Sequence, residues 1–359
     1  MNGLFEQLRP DRPVCILVHN NPDPDSLASA MGLRFLLKRK GYRSVRIYYD
    51  GFIGRAENKA MLKILKIPAH HIREVKLACR RQFVLLDSQP FVGNVTLPDK
   101  VLPLVVIDHH PLRKRTKAVP FYDVRPEYGA CSTIVYEYLT SEGLTLPAQL
   151  ATALFHAIFS ETQGLGREGS PADKKAYLEL LPRVSLRRLS RIQYPALSKE
   201  FVSNLLRILL NSFYYKNLAG VAPDELPYPD FVAEMADFLL RIRNISWSIC
   251  LGAYGDLLYI SIRTKNIHSN AARLIRRIIP RSSTSGGHEL IAGAQMKVDK
   301  SDPEKLRSMK KDIIRKILRE VYHTDVESLN NLVTNESIPL TEVNGQFTPR
   351  IDRDKIENS

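Results

Sequence analysis

The sequence predicts an α/β protein: a parallel-sheet domain joined by a helical linker to a smaller α/β domain. Three observations carry this. Apolar runs alternate with helix-periodic segments through the first half of the chain. The runs are continuously apolar, as in strands covered on both faces. Most of them end in aspartate or histidine, at the edge where open parallel sheets place their ligand sites. With 359 residues, 44% hydrophobic and 25% charged, the chain can build two cores.

In order, "PVCILVH" (13–19) reads as a buried strand and "HNNPDPDS" (19–26) as the loop after it. "SLASAMGLRFLLKRKG" (26–41) is an amphipathic helix closed by Gly41. A strand "SVRIYY" (44–49), a helix "AENKAMLKILKI" (56–67) and strands "QFVLLD" (82–87) and "LPLVVID" (102–108) continue the alternation, with helices expected over both faces. Ser132 and Thr133 open a helix whose first amides are placed to face a phosphate. Ser26 and Ser132 read as helix starts rather than nucleophiles.

The stretch 185–212 is a helix pair, giving a linker over 185–217. A strand at 218–222, a helix over 230–242, two strands in 246–264 turning at Gly255 and Asp256, and a helix within 266–280 build the second domain. Gly286 and Gly287 read as a loop. Domains therefore fall at 1–184 and 218–322, followed by a polar tail, 323–359, with no sustained apolar period.

No apolar run approaches the roughly 18 residues that span a bilayer, and "MNGLFEQLRPDRP" lacks the apolar core of a signal peptide. A cytoplasmic protein without stable membrane association is expected. Cys15, Cys79, Cys131 and Cys250 show no CxxC spacing and read as reduced structural thiols. Fifty-two Lys and Arg against 38 Asp and Glu leave a formal charge of +14, gathered in "RKRTK" (113–117), "RRLSR" (187–191) and "RLIRR" (273–277). An anionic partner fits this charge. A single basic patch is ordinarily a solvated surface, so only its placement beside a site gives it meaning.

The strand ends deliver His19, Asp23 and Asp25, then Asp87, then Asp108, His109 and His110. Carboxylates brought together in this way raise one another's pKa and call for a compensating cation. A pair of divalent ions supplies it. Mixed oxygen and imidazole donors suit manganese, and Asp87, lying between the two clusters, is placed to bridge both ions.

"HNNPDPDS", "VLLDSQ", "VIDHHP" and "GACSTIVYEYL" (129–139), in that order, closely resemble the DHH phosphoesterase superfamily, and "SGGHELIAGAQM" (285–296) is similar to the glycine-histidine loop of its DHHA1 partner domain. The resemblance implies that His19 and Asp23 hold one metal, Asp25 and His109 the other, and Asp87 both. It implies that Asp108 orients His109 and that His110 faces the scissile phosphate. The family's aspartate after an apolar helix is Glu161 here, in "AIFSETQGLGR" (157–167), placed either to ligate the second metal or to cap a turn.

Gly286 and Gly287 let backbone amides approach an anion, with His288 as a further donor. Arg263, helped by Ser261, stands where the family arginine holds substrate phosphate. The active site is then expected in the interdomain cleft.

The implied activity is manganese-dependent hydrolysis by metal-activated water of short oligonucleotides (nanoRNA), linear dinucleotides or 3′,5′-bisphosphonucleosides. The alternatives are a cyclic-dinucleotide phosphodiesterase and a non-catalytic nucleotide-binding protein with a degenerate second metal site. A homodimer is left open.

Overall fold

The computed structural model describes residues 2–74, 81–97, 101–166, 169–280, 283–287, 289–299, 301–333 and 337–339. Cys79, His288 and the tail from 340 onward lie outside the described residues. The chain divides into two units, Met1–Ala196 and Leu197–Ser359.

The first unit runs α1 (Asn2–Gln7), β1 (Val14–Leu17), α2 (Pro24–Arg39), β2 (Val45–Tyr49), α3 (Ala56–Leu65), β3 (Ala69–His71), β4 (Gln82–Leu86), β5 (Val105–Asp108), β6 (Phe121–Val124), α4 (Cys131–Ser141), α5 (Ala148–Glu161), α6 (Pro171–Leu180) and α7 (Leu186–Gln193). Its six strands lie in the order β3-β2-β1-β4-β5-β6, every pairing parallel. The order reverses direction at β1, so the carboxyl ends of β1 and β4 flank the topological switch point, where the sheet opens a crevice for ligands.

The sequence predicts helices over both faces, and the described residues show them over one. Leu33, Ile134, Val135, Leu154 and Ile158 of α2, α4 and α5 join Ile16, Ile47, Val84 and Ile107 of the sheet in the main core. On the opposite face Cys15, Leu17, Tyr48, Phe83, Leu85 and Val106 are closed by Ile72 and Val119, with Val95 and Leu97 packed against them. Right-handed crossovers send the β1-to-β3 and the β4-to-β6 connections to opposite faces. Only the first pair of connections carries α-helices among the described residues. Two short strands, β3 and β6, were not evident in the sequence, since "AHH" and "FYDV" lack a buried apolar run.

The expected linker divides. Leu189 and Ile192 of α7 pack into the first core, whereas Ile208 of α8 (Lys199–Leu209) joins a core of the second unit. Each helix presents an apolar stripe, and each buries it against the nearest core.

The second unit continues with β7 (Ser212–Tyr215), β8 (Leu218–Val221), α9 (Phe231–Leu240), β9 (Trp247–Tyr254), β10 (Leu257–Thr264), α10 (Ala271–Ile278), β11 (Thr284–Gly287), β12 (Ile291–Lys297), α11 (Pro303–Tyr322), β13 (Ser328–Asn331) and β14 (Ser337–Pro339). Its sheet has the order β11-β12-β10-β9-β8-β7-β13-β14. β9 and β10 form the expected hairpin, with Tyr254 opposite Leu257. α9 packs Phe231 and Met235 with Val221 and Cys250. Leu274, Ile314 and Ile317 of α10 and α11 pack with Ile249, Ile260 and Ile262.

Two expectations change here. Gly286 and Gly287 lie in strand β11, paired with Gly293 and Ala292, and not in a loop. Residues 328–331, assigned to a featureless tail, form β13 against β7 and bury Leu329. Strands this short carry too few side chains to show a period.

Close packing of α2 on α4 depends on Gly32, where a Cβ would stand 2.6 Å from Val135 Cγ1. Gly32→Ala should therefore lower unfolding stability by about 1–3 kcal/mol, the usual cost of overpacking. Denaturant titration followed by circular dichroism checks this, and an unchanged midpoint would show that the interface yields freely.

Candidate metal centre

Local geometry explains why "HNNPDPDS" forms a tight loop. Asp23 is the N-cap of α2, its Oδ1 accepting from the Ser26 amide at 2.9 Å, and Pro24 occupies the first turn. The cap leaves Oδ2 of Asp23 turned to Nε2 of His19 at 3.4 Å. Asp87 follows β4 in left-handed backbone, φ +55°, with its amide donating to the Ile107 carbonyl. Left-handed geometry is uncommon outside glycine, though aspartate tolerates it better than most. Here it accompanies a carboxylate that is 2% exposed at the switch point.

Three imidazoles surround that carboxylate. Asp87 Oδ2 lies 3.5 Å from His19 Nε2, and Oδ1 lies 3.4 Å from His109 Nε2 and 3.7 Å from His110 Nδ1. Asp87 Oδ1 is nevertheless buried without a hydrogen-bond partner. A buried, undonated carboxylate oxygen is costly, and a cation relieves it. Two ligand groups meet there, His19–Asp23–Asp87 and Asp87–His109–His110, with candidate donor atoms within 4.8 Å of one another in each.

The histidines are oriented as metal ligands usually are. His19 Nδ1 contacts the Asn20 carbonyl at 3.0 Å and His109 Nδ1 the Tyr128 carbonyl at 3.2 Å. In both, a backbone oxygen fixes the ring and turns Nε2 inward.

Three expectations are refined. Asp108, expected to orient His109, instead holds the ring of His110: its Oδ1 accepts from His110 Nδ1 at 2.9 Å and from the His109 amide at 2.9 Å. Asp25 accepts the first α4 amides, Cys131 N at 2.7 Å and Ser132 N at 2.8 Å, so these amides hold a carboxylate and are not free to face a phosphate. Its Oδ2 stands 3.9 Å from His109 Nε2, while the tighter group around His109 uses His110. Glu161, the last residue of α5, is in neither ligand group among the described residues, though its charge acts on Asp25 and His109.

Electrostatics follow from the crowding. Burial opposes charging His19, yet the Asp23 and Asp87 carboxylates hold its pKa well above the usual value. Burial likewise opposes charging His109, and Asp87, Asp25 and Glu161 overcome it. Asp25 is pushed well upward by burial and by Asp87. For Asp108, burial works upward but the His110 and His109 rings prevail, holding the carboxyl at about 2. The Cys131 thiol is raised well above its usual value by burial and by neighbouring carboxylates, which makes it unreactive.

Gln89, in "VLLDSQ", has no role that the sequence alone assigns. Its Nε2 donates to Asp108 Oδ2 at 2.7 Å and to the Pro111 carbonyl, while Oε1 accepts from Arg113 N and Thr116 Oγ1. It locks the loop after β4 to the loop after β5. Position two after a strand-ending aspartate was the available signal.

In the second unit Arg263 is 8% exposed, with Nε donating to Asp237 Oδ1 at 2.8 Å and Nη1 to Ser261 Oγ at 2.7 Å. Ser261, Gly293 and Gly286 are successive neighbours across β10, β12 and β11. Gly287 has φ +137°, and a Cβ there would meet the Ile291 carbonyl at 2.2 Å, so glycine is required. A bare backbone surface thus adjoins a guanidinium. His288 lies outside the described residues.

In chelated protein the raised imidazole values, joined by that of Asp25, mean that the folded chain binds protons more tightly than the unfolded chain. The imidazole contribution is complete below about pH 6.5 and is lost as pH rises through the raised values. The melting temperature without metal should therefore fall as pH climbs above about 6.5. Added Mn2+ should restore it most at the alkaline end, where the ligand nitrogens are free of protons. Differential scanning calorimetry across this range would contradict the cluster if the chelated protein gave a flat profile.

The model of the N-terminal domain of the DHH family matches residues 13–158. An uncharacterized protein of Methanocaldococcus jannaschii is 34% identical over 320 residues, covering 86% of this chain and 64% of the relative. A probable manganese-dependent inorganic pyrophosphatase of Lactobacillus helveticus is 27% identical over 169 residues, 46% of this chain and 53% of that protein. The chain thus spans less than two thirds of either relative's length. An exopolyphosphatase-related protein of Bacteroides fragilis shares the fold with TM-score 0.68 and 16% identity, over 88% of this chain and 96% of that one. His19, Asp23, Asp25, Asp87, Asp108, His109 and His110 all fall within residues 13–158, the part of the chain that matches the N-terminal domain of the DHH family.

Proposed function

We propose that this chain is a manganese-dependent phosphoesterase that uses water to hydrolyse phosphodiester or phosphomonoester bonds of short oligonucleotides or nucleotides. The observation that carries the reading is Asp87, a buried carboxylate with an undonated oxygen, shared by two ligand groups at the switch point of the sheet. The donors are imidazole nitrogen and carboxylate oxygen, a set that manganese favours. When bound, divalent metal supplies an activated water and neutralises charge at phosphorus.

The chain's own residues do the rest. Asp87 belongs to both ligand groups, so it sets their spacing. His110 is committed through Nδ1 to Asp108, which leaves Nε2 free on a side chain that is 54% exposed. With Nδ1 fixed on Asp108, the ring is oriented to meet a leaving oxygen through Nε2. Arg263, Ser261 and the glycine surface of the second unit suit a phosphate group. The pyrophosphatase relative covers 46% of this chain, so its name speaks for no more than that share.

The test is hydrolysis by purified, manganese-loaded protein of 5′-phosphorylated dinucleotides, longer single strands, a 3′,5′-bisphosphonucleoside, cyclic dinucleotides and pyrophosphate, with product analysis. Turnover should be fastest on the short linear nucleotides. Preference for pyrophosphate, or inactivity on all five, would overturn the reading.

Asp87→Ala should reduce turnover by at least about a thousandfold and lower manganese stoichiometry measured by plasma mass spectrometry. Glu161→Ala should lose activity and Glu161→Asp should keep part of it. An alanine variant with full activity and full metal content would assign Glu161 to helix termination alone.

A further inference from the structure

We propose that Phe91, backed by Arg115, is a stacking platform for an unpaired nucleobase beside the metal centre, which makes the substrate a base-bearing single strand and not a bare phosphate chain. The inference rests on the phosphoesterase reading and names the substrate class for that site.

Phe91 has two features that do nothing for folding. Its side chain is 61% exposed, and its backbone is left-handed, φ +64°. An exposed apolar residue alone is ordinary, but a bulky side chain held at positive φ is a genuine outlier, typical of functional sites. The Arg115 guanidinium lies 4.9 Å from the ring centroid. One ring face is thereby engaged, and the ring is held in place by a cation–π contact.

The platform is fixed to the active residues by Gln89, two positions before Phe91. The Gln89 side chain bonds Asp108, the Pro111 carbonyl, Arg113 N and Thr116 Oγ1. Thr116 is fully buried and anchors the 3-10 turn Lys114–Ala118, while Arg113, Lys114, Arg115 and Lys117 are exposed. Among the described residues none of those four cations is in an ion pair. The "RKRTK" patch, uninformative by itself, is thus tied to the loop that carries His110. Cations interleaved with an exposed aromatic ring are what single-stranded nucleic acid requires: charge for the backbone and a flat face for a base. Inorganic phosphate has no use for the ring.

The test compares 5′-phosphorylated diadenylate with a phosphodiester of the same length and charge whose sugars carry no base. Wild type, F91A and F91W are assayed on both with manganese. F91A should raise KM on diadenylate about ten- to a hundredfold, the range for one lost stacking contact, and leave the base-free substrate within about twofold. F91W should restore the diadenylate KM. In metal-stripped protein, the new indole fluorescence of F91W should be quenched by diadenylate and not by the base-free analogue. An F91A variant with unchanged KM on diadenylate, or with equal losses on both substrates, overturns the platform. Wild type that cleaves neither substrate but cleaves pyrophosphate overturns the underlying function instead.

Discussion

The first unit is organised around one unfavourable fact: the Asp87 carboxylate is buried at the carboxyl edge of the sheet with an oxygen that no donor reaches. Left alone, that oxygen would destabilise the fold by the desolvation of a charged group. His19, His109 and His110 stand close enough to neutralise it as imidazolium ions, and their raised pKa values are the signature of that compensation. A divalent metal would satisfy the same carboxylate without protonation of the ligand rings. Proton and metal thus compete for one cluster, and structure and chemistry rest on the same charge.

The strand order explains why the cluster forms where it does. β1 and β4 lie next to each other but hand the chain to opposite sides of the sheet, so the loops after them diverge and leave a crevice. His19 and Asp23 come from the first of these loops and Asp87 from the second, while β5, next in order, supplies Asp108, His109 and His110. The helix layer then closes the site from below. Asp25 spends both oxygens on the first amides of α4, which couples the ligand loop to the helix-dipole end of another element. Gln89 does the equivalent from above, binding Asp108 to the segment that carries the basic turn. The centre is therefore braced from two directions by polar contacts made within the unit.

Much of this was legible in the sequence because it is local. Continuous apolar strands, the helix after "HNNPDPDS" and the order of acidic strand ends need only a few neighbouring residues to be recognised. The motifs that resemble the DHH family lie in the part of the chain, residues 13–158, that its N-terminal domain model matches. Short strands such as β3, β6, β11 and β13 are not evident in the sequence, because three or four residues gain their stability from backbone pairing and carry almost no side-chain period. The division of the presumed linker was hidden for a related reason: an amphipathic stripe states that a helix will be buried, not against which core.

The sequence by itself determined the ligand chemistry, since residue type decides which atoms can hold a hard divalent cation and the strand ends decide which edge they occupy. Only the tertiary structure decided the pairing. It assigned Asp108 to His110 rather than to His109, took the α4 amides away from phosphate and gave them to Asp25, and tied a basic run with no evident purpose to Asp108 through Gln89. The Asp108–His110 bond spans two positions, but Gln89 reaches Asp108 across 19 and Ser132 reaches Asp25 across 107. Their geometry depends on how the loops fold against one another, which no local period in the chain encodes.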